Sequence, residues 1–320
     1  MTKPYIYITR KIPDEIINPY VEQFDFKMWE KADEPVPRDI LLEEAKRADG
    51  LLCMLSENID KELLNIAPQL KIVANLAVGY DNIAVDEAKE RGITITNTPD
   101  VLTETTADLT FALLMATARR IVEADTYIQK DLWRNWAPYL LAGSDIHHKT
   151  IGIVGMGRIG EAVARRAKGF GMSILYHNRS RHVEAEKELQ ATYADFKELL
   201  TTSDFVVSLI PLSKDTNQLF DRDVFDKMKS SAIFINASRG ATVDEEALYD
   251  ALRTNQIKAA GLDVFTEEPI RANHPLVQLD NTVCLPHIGS ATEQTRTDML
   301  NLCLDNIAAV FSGNAPKTPL

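Results

Sequence analysis

The chain has little cysteine, no apolar run long enough to cross a bilayer and no excess of positive charge. Each shortage removes a class of function. Its 320 residues hold 3 cysteines, Cys53, Cys284 and Cys303, too scattered for a disulfide framework and without the CxxC pairing of a zinc site. That pattern fits a reducing compartment and predicts no metal. The longest apolar segment, FALLMATA, is soon closed by Arg119 and Arg120, well short of the ~20 residues of a spanning helix. The start, MTKPYIYITRKIPDE, lacks the apolar stretch of a signal peptide, so a cytoplasmic protein without membrane partners is expected. Lys and Arg number 35 against 47 Asp and Glu, and the formal charge of −12 argues against general binding of nucleic acid or anionic membrane. Short repeats, low-complexity tracts and Gly/Ser linkers are missing as well. What remains is a globular composition, 45% hydrophobic and 26% charged, with material for two domains.

Two series of alternating elements fill that length. In the first hundred residues YIYIT, LLCML, KIVANLAV and ITIT have the character of strands, and DILLEEAKRA, DKELLNIA and VDEAKERG have helical spacing. A long helix follows, with Thr103 as its expected N-cap, and then the Trp-rich LWRNWAPYLLAG, which reads as an excursion from the domain body. The second series runs through KTIGIVGMGRIG, SILYHN, DFVVSLIP, AIFINAS, AAGLDVF and NTVCLP, and a final helical stretch closes the chain. Such alternation predicts an α/β protein of two doubly wound parallel-sheet domains.

GMGRIG places Gly155, Gly157 and Gly160 in G-x-G-x-x-G spacing between a strand and a helix. Alone this spacing is a weak signal, but the complete strand–turn–helix–strand unit points to a dinucleotide whose pyrophosphate lies on the helix N-terminus. At the end of the next strand an acid commonly accepts the ribose hydroxyls. Here Asn178 stands in its place, followed by Arg179, Ser180 and Arg181. Losing the acid removes its repulsion of a 2′-phosphate, and the arginines supply cations with planar donor forks. The stretch therefore favours NADP(H), with NAD(H) admitted as second choice; an exposed basic loop is the plainer alternative.

Three further strands each end on a polar group: Arg239 after AIFINAS, Asp263 and Glu268 after AAGL, and His287 after NTVCLP. Each also has a structural reading, as a surface arginine, a charged turn or a structural histidine. Beside a dinucleotide fold their chemistries complement one another. Histidine can protonate the alkoxide that hydride transfer creates, a carboxylate orients and charges the ring, and arginine binds a 2-oxo acid carboxylate bidentately. The expected metal-ligand set is none.

The ordered stretches VGYDNI, NTPDVLTETTAD, GMGRIG, INASRGATVDEEAL, AAGLDVFTEEP and LPHIGSAT resemble the D-isomer-specific 2-hydroxyacid dehydrogenase family over essentially the full length. LLCMLSENID, the Trp-rich arm and YHNRSR look most like its glyoxylate/hydroxypyruvate reductase branch, which includes bacterial 2-ketogluconate reductases. The resemblance implies a flavodoxin-like substrate domain of residues 1–98 plus 291–320. It also implies a Rossmann NADP-binding domain of 99–290 with a dimerisation arm around 131–145, and a cleft between the two. It assigns Arg239, Glu268 and His287 to catalysis. Gly155, Gly157, Arg158, Ile159, Gly160, Asn178, Arg179, Ser180, Arg181, Leu209, Pro211, Ala237, Ser238, Asp263 and Gly289 are assigned to the cofactor. Substrate falls to Val78 and Gly79 through their backbone N–H groups, with Arg239, His287 and Ser290. The implied partners are a small 2-oxo or 2-hydroxy acid and a second copy of the chain.

The expected reaction is NADPH-dependent reduction of glyoxylate and hydroxypyruvate to glycolate and D-glycerate. The alternative within enzymes is 2-ketogluconate reduction or another D-2-hydroxyacid couple. From a different class, dinucleotide-sensing corepressors share this fold, but nothing here resembles their added interaction segments.

Overall fold

Every strand expected from an apolar run forms, and all pair in parallel. The computed structural model describes residues 2–320, which divide into two units, residues 2–102 with Ala291–Leu320, and Thr103–Ser290. In the first unit the strands are β1 (Tyr5–Ile8), β2 (Asp25–Met28), β3 (Gly50–Cys53), β4 (Ile72–Asn75) and β5 (Thr94–Thr96). Their order in the sheet is β2-β1-β3-β4-β5. β3 and β4 are buried at every residue, as central strands covered on both faces require. The terminal helix, Glu293–Phe311, returns to pack on β3, β4 and β5. After it the chain pairs with β5, where Leu320 donates its N–H to Ile95 O (3.0 Å).

The second unit holds β6 (Thr150–Val154), β7 (Ser173–His177), β8 (Thr192–Tyr193), β9 (Phe205–Ser208), β10 (Ile233–Asn236), β11 (Ala259–Leu262) and β12 (Thr282–Cys284). They lie in the order β12-β11-β10-β9-β6-β7-β8. The chain winds outward from β6 through β7 to β8, then crosses to β9 and winds the other way. The β6–β9 boundary is thus a topological switch point, where doubly wound sheets bind ligands at their carboxyl ends. Helix Thr103–Ala118 covers β10, β11 and β12 and packs on helix Arg158–Gly169. Phe205, Phe220, Phe225 and Phe234 are all at most 1% exposed, and truncating one such ring to alanine costs about 3–5 kcal/mol.

The structure differs from the pattern reading at three places. β2 is half-exposed along its length and β8 has only 2 residues, so neither carries the apolar run that marks a buried strand. The long helix breaks, because Arg120 takes a left-handed backbone (φ 53°) and separates Thr103–Ala118 from Ile121–Gln129. Thr103, expected as an N-cap, is the first residue of its helix.

Candidate active site

The glycine motif sits at the switch point of the second sheet. Gly155 follows β6 with φ +105°, and a Cβ there would lie 2.7 Å from the backbone of Leu209, which leaves β9. Gly160 packs its bare Cα against Gly155 O, only 2.3 Å from where a Cβ would be. Gly157 is the N-cap of helix Arg158–Gly169, and a Cβ added to it would meet nothing within 4 Å. Two glycines thus let the chain turn tightly, and the third leaves open space before the helix N-terminus. A dinucleotide pyrophosphate fits such a cradle in both shape and charge. Arg158 and Ile159 form the first turn, with Arg158 exposed; Leu209 is half-buried and Pro211 exposed at the end of β9.

The stretch after β7 is tied to this loop. Asn178 Oδ1 accepts the N–H of Met156 (2.7 Å), and Asn178 Nδ2 donates to Met156 O (3.2 Å). Its amide therefore braces the glycine loop from the side. Arg181 makes a two-pronged pair with Glu186 (3.0 and 2.6 Å), which also accepts from Tyr176 Oη (2.7 Å). The Arg181 and Tyr176 hydrogen bonds hold the Glu186 carboxyl down at about 2. Arg179 and Ser180 are exposed, and Arg179 has no ion pair among the described residues.

The polar groups after β10, β11 and β12 converge on one another. His287 Nδ1 lies 2.7 Å from Glu268 Oε2. Glu268 Oε1 accepts the N–H of Phe265 (3.0 Å). Burial works to raise the Glu268 carboxyl, but the hydrogen bond and charge of His287, the Phe265 N–H and the Arg239 charge outweigh it and hold it below the usual range. An ionised carboxylate only accepts, so His287 Nδ1 donates and Nε2 is left for proton exchange. His287 takes a left-handed backbone (φ 52°), a conformation that costs a non-glycine residue about 1–3 kcal/mol. The following residue is anchored: Asp263, 1% exposed, accepts the N–H of Ile288 at Oδ1 (2.8 Å). Burial pushes the Asp263 carboxyl up, against the N–H groups of Ile288 and Gly289.

Arg239 donates from Nη1 to Ser238 O (2.9 Å), and its own carbonyl accepts from Asn236 Nδ2 (3.0 Å) and Thr242 Oγ1 (2.7 Å). Asn236, 1% exposed, also accepts from the N–H and Oγ of Ser238 (3.1 and 2.8 Å). The turn Ala237–Ser238–Arg239 is thereby built around one asparagine that sequence reading passes over. Its signal was a polar residue closing the apolar run IFIN. Ser290 and Gly289 follow His287, with Gly289 buried and Ser290 half-buried. In the other unit Val78 and Gly79 lie in the loop after β4, both half-buried. No cluster of metal-ligating side chains occurs among the described residues.

Residues 111–289 match the family described as D-isomer specific 2-hydroxyacid dehydrogenase, NAD binding domain. The chain is 50% identical to the glyoxylate reductase of Thermococcus onnurineus (strain NA1), over 99% of this chain and 95% of that protein. The crystal structure of a Sinorhizobium meliloti NADPH-dependent glyoxylate/hydroxypyruvate reductase, in complex with NADP and malonate, superposes with a TM-score of 0.85. It shares 34% identity and is matched over 100% of this chain and 97% of that one. A glyoxylate reductase from Paecilomyes thermophila gives a TM-score of 0.89 at 30% identity, over 100% and 99% of the two chains.

Proposed function

The chain belongs to the D-isomer-specific 2-hydroxyacid dehydrogenase family and is an NAD(P)-dependent oxidoreductase, and on that footing we propose that it reduces glyoxylate and hydroxypyruvate with NADPH, forming glycolate and D-glycerate. The observation that carries the reading is the His287–Glu268 pair at 2.7 Å, with Arg239 close enough for its charge to act on Glu268. The names of the relatives, glyoxylate reductase and glyoxylate/hydroxypyruvate reductase, support this choice of substrate.

Gly155, Gly157, Arg158, Ile159 and Gly160 hold the pyrophosphate, and Arg179 with Ser180 takes the 2′-phosphate. Leu209, Pro211, Ala237, Ser238, Asp263 and Gly289 line the remaining dinucleotide. When bound, that dinucleotide supplies the hydride. Arg239 and the N–H groups of Val78 and Gly79 bind the substrate carboxylate, with Ser290 beside it. His287 Nε2 gives its proton to the carbonyl oxygen as that atom gains negative charge. Glu268 keeps Nδ1 protonated and the ring in its productive orientation, because a neighbouring carboxylate stabilises the imidazolium. NADPH is favoured over NADH because Asn178 stands where an acid would repel a 2′-phosphate, and the exposed Arg179 beside it can supply a cation.

The functional unit is a homodimer. Trp133, Trp136 and Tyr139 of the arm are 58%, 75% and 88% exposed, and helix Ile121–Gln129 has no buried residue, an apolar surface suited to a second copy. Loss of absorbance at 340 nm, with NADPH and NADH run separately against a panel of short 2-oxo acids and 2-ketogluconate, tests the reading. Turnover is expected to be fastest with NADPH and glyoxylate or hydroxypyruvate. No turnover with any short 2-oxo acid would leave the reductase reading untenable.

A further inference from the structure

The loop after β4 turns its carbonyls into the protein. Ala77 O accepts the N–H of Thr98 (2.8 Å), Val78 O accepts Asn97 Nδ2 (2.8 Å), and Gly79 O accepts Asn75 Nδ2 (2.8 Å). The N–H groups of Val78, Gly79 and Tyr80 make no hydrogen bond among the described residues. In a trans peptide the C=O of one residue and the N–H of the next point in opposite directions. Fixing Val78 O therefore aims the N–H of Gly79 outward, and fixing Gly79 O aims the N–H of Tyr80. Thr98 does the same for Val78 through its backbone.

Asn75 also accepts at Oδ1 from Cys53 Sγ (3.6 Å). Asn75 is fully buried, and Asn97 is 7% exposed. Asn97 is held in turn by Thr318, whose Oγ1 donates to Asn97 O (2.6 Å) and whose O accepts the Asn97 N–H (3.3 Å). Thr318 is fixed by Asn306, a fully buried residue of the terminal helix, through Nδ2 to Oγ1 (2.8 Å).

We propose that Asn97 and Asn75 are positioning residues for substrate, which hold the N–H groups of Gly79 and Tyr80 in a row with that of Val78 as a receptor for the carboxylate of a 2-oxo acid. The inference rests on the reductase reading above and adds Tyr80 N–H as a third donor. The amide donates without charge: an ionised carboxylate at either position could not donate to the carbonyl, and its charge would repel the substrate anion. Thr318 relays the position of the terminal helix to Asn97.

The test measures kcat and KM for glyoxylate with NADPH, the inhibition constant of oxalate, and NADPH affinity by fluorescence. Each is measured for wild type, Asn97→Ala, Asn97→Asp, Asn75→Ala and Thr318→Val. Loss of one such hydrogen bond should raise KM and the oxalate constant roughly tenfold in Asn97→Ala and Asn75→Ala. The rise should be larger in Asn97→Asp and partly relieved by salt, because screening weakens the added repulsion. Thr318→Val, which leaves the loop itself intact, should raise KM about threefold, a fraction of one hydrogen bond. NADPH affinity should match wild type throughout. Variants that keep the wild-type KM and oxalate constant would overturn the inference while leaving the reductase reading intact. So would variants whose NADPH affinity, kcat and melting temperature fall together. A wild-type protein that reduces no 2-oxo acid would overturn both.

Discussion

The two sheets share one winding rule and treat its consequence in opposite ways. In the second unit the switch point between β6 and β9 is bare backbone: Gly155 meets Leu209 directly, and the space before Gly157 is open. In the first unit the switch point lies between β1 and β3, and a carboxylate of the chain itself fills it. Glu57, 3% exposed, accepts from Thr9 Oγ1 (2.5 Å), Arg10 Nη1 (2.8 Å), Met54 N (2.8 Å) and Ser56 Oγ (2.8 Å). The donors that would greet a ligand there are already satisfied. Free N–H groups appear one strand further along instead, in the loop after β4. The same architecture thus leaves open space at the glycine turn of one unit and inward-turned carbonyls in the loop after β4 of the other, the features on which the proposed phosphate and carboxylate sites rest. Loop residues, not winding order, decide which.

The largest effect that separates the units belongs to the proton donor. His287→Ala should lower kcat by about 10²–10⁴-fold with NADPH affinity unchanged, as expected for loss of a general acid. A variant with wild-type turnover would remove His287 from the mechanism. Next come the two switch points. Gly155→Ala forces a side chain against Leu209 at a positive φ, and NADPH affinity should fall about tenfold or more. Glu57→Gln places an amide N–H₂ among four donors and should cost about 1–3 kcal/mol of stability in chemical denaturation. NADPH affinity should stay at its wild-type value. If Glu57→Gln weakened NADPH binding as Gly155→Ala does, the contrast between the units would collapse.

Smaller effects sharpen the second unit alone. Glu268 is held below the usual carboxylate range by the hydrogen bond and charge of His287, the Phe265 N–H and the Arg239 charge, which outweigh its burial, and its carboxylate lies 2.7 Å from His287 Nδ1. In Glu268→Gln that carboxylate charge disappears, and the pH at which activity declines should move down. An unmoved pH profile would count against the pair. In the cofactor loop, Arg179→Ala should weaken NADPH about tenfold and leave NADH nearly unchanged, as for one charge-assisted contact. Arg181→Ala should do less, about twofold, because Glu186 already engages that guanidinium. Equal effects at the two arginines would mean that Arg181 exchanges Glu186 for the phosphate.

Much of this was legible in the amino-acid sequence. Apolar runs bounded by turn residues marked all the buried strands, and the spacing of GMGRIG survived as real geometry at Gly155 and Gly160. His287 and Glu268 stood out because each follows an apolar strand, and they meet at 2.7 Å. What could not be read falls into two kinds. β2 and β8 are short edge strands stabilised by pairing, not by a hydrophobic face of their own, so they leave no pattern. Asn178 and Asn97 act through hydrogen bonds to backbone 22 and 19 residues away, and one-dimensional spacing holds no record of the partner. Asn236 and Asn75 bond backbone only 3 and 4 residues on, in turns whose shape the spacing does not give. Asn178 is the instructive case. Its identity was read as the loss of an acid, whereas its amide also clasps both polar groups of Met156. Asn178→Asp would break that clasp as well as restore the acid, so Arg179 is the cleaner position at which to test cofactor choice.

On the proposed function, NADPH-linked reduction by this protein should give only the D configuration of a short 2-hydroxy acid. Chiral analysis of the glycerate formed from hydroxypyruvate and NADPH by the purified protein tests it most directly. D-glycerate alone is expected, formed mole for mole with NADPH oxidised. L-glycerate, a racemic product, or oxidation of NADPH without glycerate would contradict it.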